Sequence, residues 1–122
     1  MNPIEIAKSL AQTLKESNEF RSYQEAKSKV DQHEAARGML EDFRKKQLEI
    51  YRKRANGEDI TDEAEQIRKL SEIVSLNPYV REFLMAEYQW GQLMEKVNKT
   101  IAEGLGIDWS QLGLGEEEKL NG

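Results

Sequence analysis

The sequence predicts an all-α protein, an elongated antiparallel bundle of about five helices, two of them long. Apolar residues recur every three or four positions along most of the chain, which is the spacing of one helix face. No stretch alternates with a period of two, so no sheet is expected. The chain contains 2 prolines, and each follows an asparagine. Because asparagine is a good N-cap and proline suits the first helical position, both pairs indicate helix starts.

Three helices are expected in the first half of the chain. The first begins at the Asn-Pro pair of residues 2–3, and a short second helix follows Ser17. A capping-box pattern, with Asp31 at the cap and Glu34 three positions later, predicts a long third helix that runs to about Ala55. The apolar stripes of these helices consist of Ala7, Leu10, Ala11 and Leu14, then Phe20, Tyr23, Ala26 and Val30, then Ala36, Met39, Leu40, Phe43, Ile50 and Tyr51.

Two further helices follow a turn at residues 56–59, whose Asn-Gly-Glu-Asp sequence is typical of a helix C-cap and turn. Thr61 is the predicted N-cap of the fourth helix. The fifth begins at the Asn-Pro pair of residues 77–78 and runs to about Gly104. At ~1.5 Å per residue it is about 40 Å long, which exceeds the ~35 Å diameter of a compact globule of this size. The apolar stripe of the fourth helix consists of Ala64, Ile67, Leu70 and Val74.

The length of 122 residues is typical of one domain. Residues 1–104 are expected to form a single helical domain, and residues 105–122 a C-terminal tail that is partly disordered. In this tail, Asp108 is a candidate cap for a single turn that carries Trp109 and Leu112.

Charge and composition disfavour several classes of partner. The net charge of −5 opposes nonspecific attraction to nucleic acid or to an anionic membrane. No apolar run approaches the ~20 residues that a membrane-spanning helix needs, and no signal-peptide pattern is present. The chain has no cysteine, which removes disulfides, thiolate nucleophiles and iron–sulfur ligation. The expected location is the cytoplasm.

The fifth helix has the widest apolar face. At 100° per residue its apolar residues cover roughly 200°, about twice what one packing partner requires. We therefore expect neighbours on two of its sides, one of them from a second copy of the chain in a homodimer. The competing outcome is that the first two helices cover both sides within one chain. Gly91 lies in this arc, and two explanations stay open: a close approach of another helix, or simple tolerance of a glycine. The candidate interface residues are Phe83, Tyr88, Trp90, Gly91, Met94 and Val97, of which Phe83, Trp90, Met94 and Val97 are expected to be largely buried.

Three polar residues fall inside apolar arcs and are candidates for burial. They are Gln47 on the third helix, and Glu87 and Asn98 on the fifth. A buried carboxylate must be paired, hydrogen-bonded or protonated. The favoured interpretation is a pairing device that fixes helix register, or a polar residue at the edge of the face. A small polar site between helices is the alternative.

No pattern of catalytic, cofactor-binding or metal-binding residues is present. The basic runs at residues 44–46 and 52–54 have acidic residues four positions before three of their members, which indicates helix-stabilising ion pairs on a solvated face. The predicted pairs are Glu41–Lys45, Asp42–Lys46 and Glu49–Lys53. His33 is the single histidine, and one histidine without cysteine does not make a common zinc site. No phosphate-binding loop or nucleophile motif occurs. We therefore expect no enzymatic activity and no cofactor.

Two stretches of the sequence resemble the YlbF/YmcA family of small helical bacterial proteins, and most closely its YheA-like branch. They are SNEFRSYQEAKSKVDQHEAARGMLEDFRKKQLEIYRKRANGEDIT and LNPYVREFLMAEYQWGQLMEKVNKTIAEGL, and the resemblance covers roughly residues 3–104. It implies an elongated, all-helical, dimeric protein. In the better-known branch, members act in a cytoplasmic complex that modulates an RNA-cleaving enzyme and have been linked to iron–sulfur clusters through cysteines. A cluster does not carry over to a chain without cysteine.

The leading hypothesis is a non-enzymatic helical interaction module with a regulatory or adaptor role, acting as a homodimer on a protein partner that the sequence does not identify. One alternative is an RNA-associated factor that uses the basic face of residues 44–54, although binding to nucleic acid is not expected from the charge. A further alternative is a small-ligand carrier with Gln47 and Glu87 inside the bundle.

Overall fold

The computed structural model describes residues 2–108 and confirms the all-α bundle. It contains five helices and, among the described residues, no strand. The fifth helix spans about 42 Å, which makes the bundle elongated. The division into a domain and a tail stays a prediction, and the turn at Trp109 and Leu112 lies outside the described residues. The helices are α1 (Pro3–Lys15), α2 (Asn18–Gln32), α3 (Glu34–Ala55), α4 (Thr61–Val74) and α5 (Pro78–Leu105).

Polar caps and glycines define most of the helix ends. The Asn2 side chain accepts a hydrogen bond from the Ile4 N–H at 2.8 Å. At the start of α5, Asn77 accepts from two backbone N–H groups at 3.0 and 3.2 Å. α3 and α5 are followed by Gly57 and Gly106, at φ +74° and +71°, a left-handed conformation that glycine adopts without steric cost. The Asn-Pro starts and the turn after α3 are therefore confirmed.

Two predicted caps are wrong. Asp31 does not begin α3, because α2 continues to Gln32 and one extended residue, His33, separates the helices. Val30 is buried, so the last turn of α2 is stabilised by packing rather than ended by the capping-box pattern. Thr61 is the first residue of α4, and the Asp59 carboxylate accepts hydrogen bonds from its N–H and hydroxyl at 3.0 and 2.6 Å.

α2 runs antiparallel to α5, and α3 runs antiparallel to α4. α2 packs along α5, and α3 forms a hairpin with α4. At one end of the α2–α5 pair, the His33 ring stacks on Tyr79 with centroids 3.9 Å apart. Further along, the rings of Phe20 and Trp90 are 4.9 Å apart. These two contacts show that α2 lies along the first half of α5 only.

The hydrophobic core occupies one end of the bundle. α2 supplies residues from its C-terminal half, α3 from its N-terminal half, and α5 from its first third. α1 supplies none, and beyond Ala86 the only residue of α5 that is buried is Ala102. Two stretches of helix therefore extend past the core with apolar residues that one chain does not cover. The core residues are Ala26, Val30, Ala36, Phe43, Val74, Val80, Phe83 and Ala86.

Candidate interaction surface on the last helix

A continuous apolar seam runs along α5. Its residues are separated by alternating steps of three and four, the spacing that keeps side chains on one line facing a partner helix. The inner part of the seam is in the core, with Phe83 only 4 % exposed. From Glu87 onwards, no seam residue is buried. The seam consists of Val80, Phe83, Glu87, Trp90, Met94, Val97 and Ile101, and Leu105 extends it by one further turn.

An ion pair lies where the seam leaves the core. The Arg44 guanidinium donates hydrogen bonds to both carboxylate oxygens of Glu87, and its other terminal nitrogen donates to the Gln47 side-chain oxygen at 2.9 Å. The same guanidinium lies 6.0 Å from the centroid of the Phe83 ring. The Arg44 and Glu87 side chains are 39 % and 37 % exposed, so water reaches the pair. This contact links α3 to α5 at one level.

The prediction that three polar residues are buried does not hold within one chain. Gln47 is exposed, and Glu87 and Asn98 are only half-buried. The reason is that α3 and α5 bury no facing residues beyond Phe43 and Ala86, so the polar side chains at this level reach solvent. The geometry of Glu87 matches the interpretation as a pairing device that fixes register.

The predicted interface residues occupy three different environments. Phe83 lies in the chain's own core, with its ring 5.5 Å from that of Tyr23, so a second chain cannot reach it. Trp90 packs on Phe20 and is half-buried, as are Met94 and Val97; of the four residues expected to be largely buried, only Phe83 is so within one chain. Tyr88 is 66 % exposed.

Gly91 has no close neighbour in the single chain. A Cβ atom built on it would meet no atom of another residue within 4 Å, apart from its own helix backbone. The close approach of another helix, one of two explanations for this glycine, therefore does not occur within one chain. A crossing at Gly91 would require a second chain.

Other exposed apolar residues were not predicted as part of this surface. On α5, Ile101 and Leu105 are 44 % and 64 % exposed. On α1, Ile4 is 65 % exposed, and Ile6 and Leu10 are exposed as well. The stepwise spacing of three and four residues would have identified Ile101 and Leu105 as a continuation of the seam. The predicted stripe on α1 omitted Ile4 and Ile6, which lie at its two edges.

The basic face of α3 is tied to carboxylates and amides of neighbouring positions. Lys46 donates to Glu49 at 2.9 Å and to Gln66 at 2.7 Å. Lys53 donates to Glu63 across the α3–α4 hairpin. The hydrogen bond from Lys46 lowers the pKa of Glu49, and the hydrogen bond from Lys53 lowers the pKa of Glu63. Of the predicted ion pairs, the structure confirms that of Glu49 with Lys53 at 3.7 Å, whereas Lys46 pairs with Glu49 instead of Asp42.

Within residues 2–108, no group of three or more histidine, aspartate or glutamate side chains is arranged to hold a metal ion. His33 is exposed and stacks on Tyr79, and its Nδ1 lies 2.7 Å from the carbonyl oxygen of Lys29. None of the helices in this range is long and apolar enough to cross a membrane.

Comparisons with known proteins identify relatives over most of the chain. Residues 4–106 match the family model described as "Control of competence regulator ComK, YlbF/YmcA". A "UPF0342 protein" of Caldicellulosiruptor saccharolyticus is 37% identical over 118 residues, which cover 96% of this chain and 98% of that protein. Its counterpart in Caldicellulosiruptor bescii is 39% identical over 85% of this chain and 88% of its own length. That of Halothermothrix orenii is 38% identical over 94% of both chains. No solved structure matches.

Proposed function

Because this chain belongs to the YlbF/YmcA family, we propose that it is a non-enzymatic interaction module with a regulatory or adaptor role in the bacterial cytoplasm. The family description refers to control of a competence regulator, which is consistent with an adaptor that contacts other proteins. The observation that carries the proposal is the outer half of α5, residues 88–105, whose seam residues are not buried by the chain itself. Interaction surfaces commonly consist of such apolar patches rimmed by polar residues.

The module acts as a homodimer in this proposal. Trp90, Gly91, Met94 and Val97 remain its candidate interface residues. Phe83 is withdrawn because it lies in the chain's own core, and Tyr88 because it lies on the side of α5 away from the seam, where Gln92 donates a hydrogen bond to its hydroxyl. An apolar helix face left open to solvent favours association, since burying it removes apolar area from water. The partner that receives the regulatory signal is a separate protein.

The test is capture of partners from the native cell with tagged protein. Wild type and two single-charge variants are compared: Ile101→Glu on the seam, and Gln92→Glu on the opposite, exposed side of α5. We expect a defined set of proteins to co-purify with wild type and Gln92→Glu, and to be depleted at least tenfold with Ile101→Glu. Recovery of the tagged chain alone from all three would contradict the adaptor role.

The dimer is tested separately by sedimentation of the purified wild-type protein at tens of micromolar. A dimer is expected. A monomer under these conditions would remove the homodimer from the proposal and leave the adaptor role to the capture experiment.

The structure gives no support to the two alternative functions. An RNA-binding face needs cations that are free to meet phosphates. Arg44, Lys46 and Lys53 instead donate hydrogen bonds to protein carboxylates. A ligand carrier was expected to enclose Gln47 and Glu87, but the first is exposed and the second is paired with Arg44.

A further inference from the structure

Two helical segments leave the core at the same level without a covering partner. α1 is joined to α2 by Glu16 and Ser17 alone. Phe20, in the first turn of α2, contacts Trp90, where the outer half of α5 begins. α1 and the outer half of α5 therefore extend from one place in the fold.

α1 is amphipathic and buries none of its residues. At 100° per residue, its apolar side chains share one side of the helix, and Glu5, Lys8 and Gln12 share the other. α1 makes few contacts with α2, and these leave its apolar side exposed. An isolated helix of about this length is only marginally stable in water, so α1 needs a packing partner. Its apolar residues are Ile4, Ile6, Ala7, Leu10, Ala11 and Leu14.

The outer seam of α5, which is the part of the seam from Trp90 onwards, contains no charged residue. In a packed helix pair, the positions that flank the seam select the partner through their charges. Here one flank consists of Gly91 and Asn98, and the other of Leu93 and Thr100. Like-charge repulsion therefore does not oppose pairing with an identical surface, and no charge pattern selects a different one. The charged residues of this stretch, Glu95, Lys96, Lys99 and Glu103, lie outside the seam and its flanks.

The two segments together offer a larger area for a dimer than α5 does alone. The outer half of α5 is about 27 Å long and α1 about 20 Å, and each helix is about 10 Å wide. α5 alone would offer about 270 Å² in projection, far below the ~800 Å² that each partner of a stable complex buries. Adding the face of α1 raises the total projected area to about 470 Å² before the relief of the side chains is counted. Both helices are therefore needed.

We propose that a second copy of this chain covers both segments, in an intermolecular four-helix bundle formed by α1 and the outer half of α5 from each copy. This proposal rests on the homodimer of the proposed function and specifies its surface. A two-fold arrangement uses the same patch on both copies, which the uncharged seam permits. α1 is then a part of the dimer interface, whereas the chain's own core holds only the other four helices.

Single-charge variants test this surface without disturbing the core. Ile101→Glu places a carboxylate on the outer seam, and Leu10→Glu places one on the apolar side of α1; both positions are exposed in the single chain. Gln92→Glu and Ser9→Glu add the same charge to the polar sides of the same helices. The dimer dissociation constant of full-length protein is measured by sedimentation over a range of concentrations.

We expect Ile101→Glu and Leu10→Glu each to raise the dissociation constant at least tenfold, with less than a twofold change for the two controls. Far-ultraviolet circular dichroism should show that all four variants stay folded. If both Ile101→Glu and Leu10→Glu formed a dimer of wild-type strength, the four-helix interface would be overturned and the homodimer would remain. A wild type that stays monomeric would overturn both.

Because the chain has no cysteine, an introduced pair reports contacts directly. In the double variant Leu10→Cys with Ile101→Cys, mild oxidation should yield covalent dimers. Ser9→Cys with Gln92→Cys is the control, and equal yields from both pairs would contradict the proposal.

A membrane surface is the other known occupant of an amphipathic helix. Membrane-binding helices carry several Lys and Arg residues on the polar face, whereas α1 carries Glu5 beside its two basic residues, Lys8 and Lys15, and Glu16 follows it directly. Wild-type protein should therefore stay unbound in flotation with vesicles of anionic phospholipid. Binding that Leu10→Glu abolishes would overturn the proposal in favour of the membrane.

Discussion

Arg44 on α3 and Glu87 on α5 form an ion pair at the level where α5 leaves the core. Below this level, Phe83 and Ala86 are buried between helices, and above it the seam residues of α5 are half-buried or exposed. The pair has a second anchor, because Arg44 also donates to Gln47 on its own helix. The contact joins α3 to α5 at one level and lies outside the core.

A double-mutant cycle measures the strength of this pair. We expect Arg44→Ala and Glu87→Ala each to lower the free energy of unfolding by no more than about 1 kcal/mol, with a coupling energy of about 0.5 kcal/mol. The values are small because both side chains are more than one third exposed and water screens the charges. Urea denaturation of the two single variants and the double variant gives the coupling. A coupling of several kcal/mol would show that the pair is buried, as in a dimer that covers it.

Phe83 and Tyr88 lie on the same helix, but truncation of Phe83 should lower the stability much more than truncation of Tyr88. Phe83→Ala leaves a cavity next to Tyr23, and we expect it to lower the free energy of unfolding by about 3–5 kcal/mol. Tyr88→Ala removes a side chain that is 66 % exposed, and its effect should stay within about 0.5 kcal/mol. Chemical denaturation measures both. Similar decreases in the free energy of unfolding for the two variants would mean that Tyr88 is buried in the protein in solution.

The sequence predicted the helices well because their signals are local. An Asn side chain caps the N–H groups two and three positions later, and a glycine ends a helix through its own backbone conformation. Asn77 and Gly57 therefore act on residues within one helical turn, and the local sequence is enough to predict their effect. Asp31 misled for the same reason: the capping-box pattern fits the local sequence, but the burial of Val30, set by other helices, extends α2 past it.

The candidate surface was harder to predict, because burial depends on where helices diverge. A wide apolar arc indicates that α5 has several neighbours, but it does not show at which residue they end. Phe83 and Val97 occupy the same line of the helix, yet only the first lies in the core. Gln47 was expected to be buried because it falls inside the apolar arc of α3. That arc continues beyond the level at which α5 packs against α3, so Gln47 is exposed.

Acid should destabilise the start of α4. The hydrogen bond from the Thr61 hydroxyl, reinforced by its N–H, lowers the pKa of Asp59 below its ordinary value of 3.8. A carboxylate whose pKa is depressed by folding contributes stability above that ordinary value and loses it as the pH falls through the folded pKa. Thermal midpoints are measured from about pH 7 to about pH 2.

Asp59→Asn should show a smaller fall in thermal midpoint below pH 3.8 than wild type does. Asp42→Asn, at an exposed position of α3, is the matched control and should follow the wild-type curve. Identical acid profiles for Asp59→Asn and wild type would show that the Asp59–Thr61 contact does not contribute to stability.

The basic face of α3 should not bind RNA. Binding to phosphates would require Lys46 and Lys53 to exchange their hydrogen bonds with Glu49 and Glu63 for contacts to RNA, in a protein with a net charge of −5. Purified wild-type protein should leave the mobility of labelled single-stranded RNA unchanged at about 50 mM salt, where electrostatic binding is strong. A shift that weakens as salt is raised, and that Lys45→Glu abolishes, would contradict this expectation.

Gly91→Ala should stabilise the protein. An added methyl group at this position meets no atom of another residue within 4 Å beyond the local helix backbone, so the single chain accepts it without strain. Alanine favours the helix by about 0.5–1 kcal/mol over glycine, because glycine loses more backbone freedom on folding. We expect that gain in the free energy of unfolding from urea denaturation at low protein concentration. Gly38→Ala on α3, where an added methyl group also has open space, is the control and should give a similar gain.

Sedimentation of the Gly91→Ala variant then tests whether a second chain contacts this position. A dimer dissociation constant that rises tenfold in Gly91→Ala, but not in Gly38→Ala, would show that a helix of the partner crosses α5 closely at this glycine.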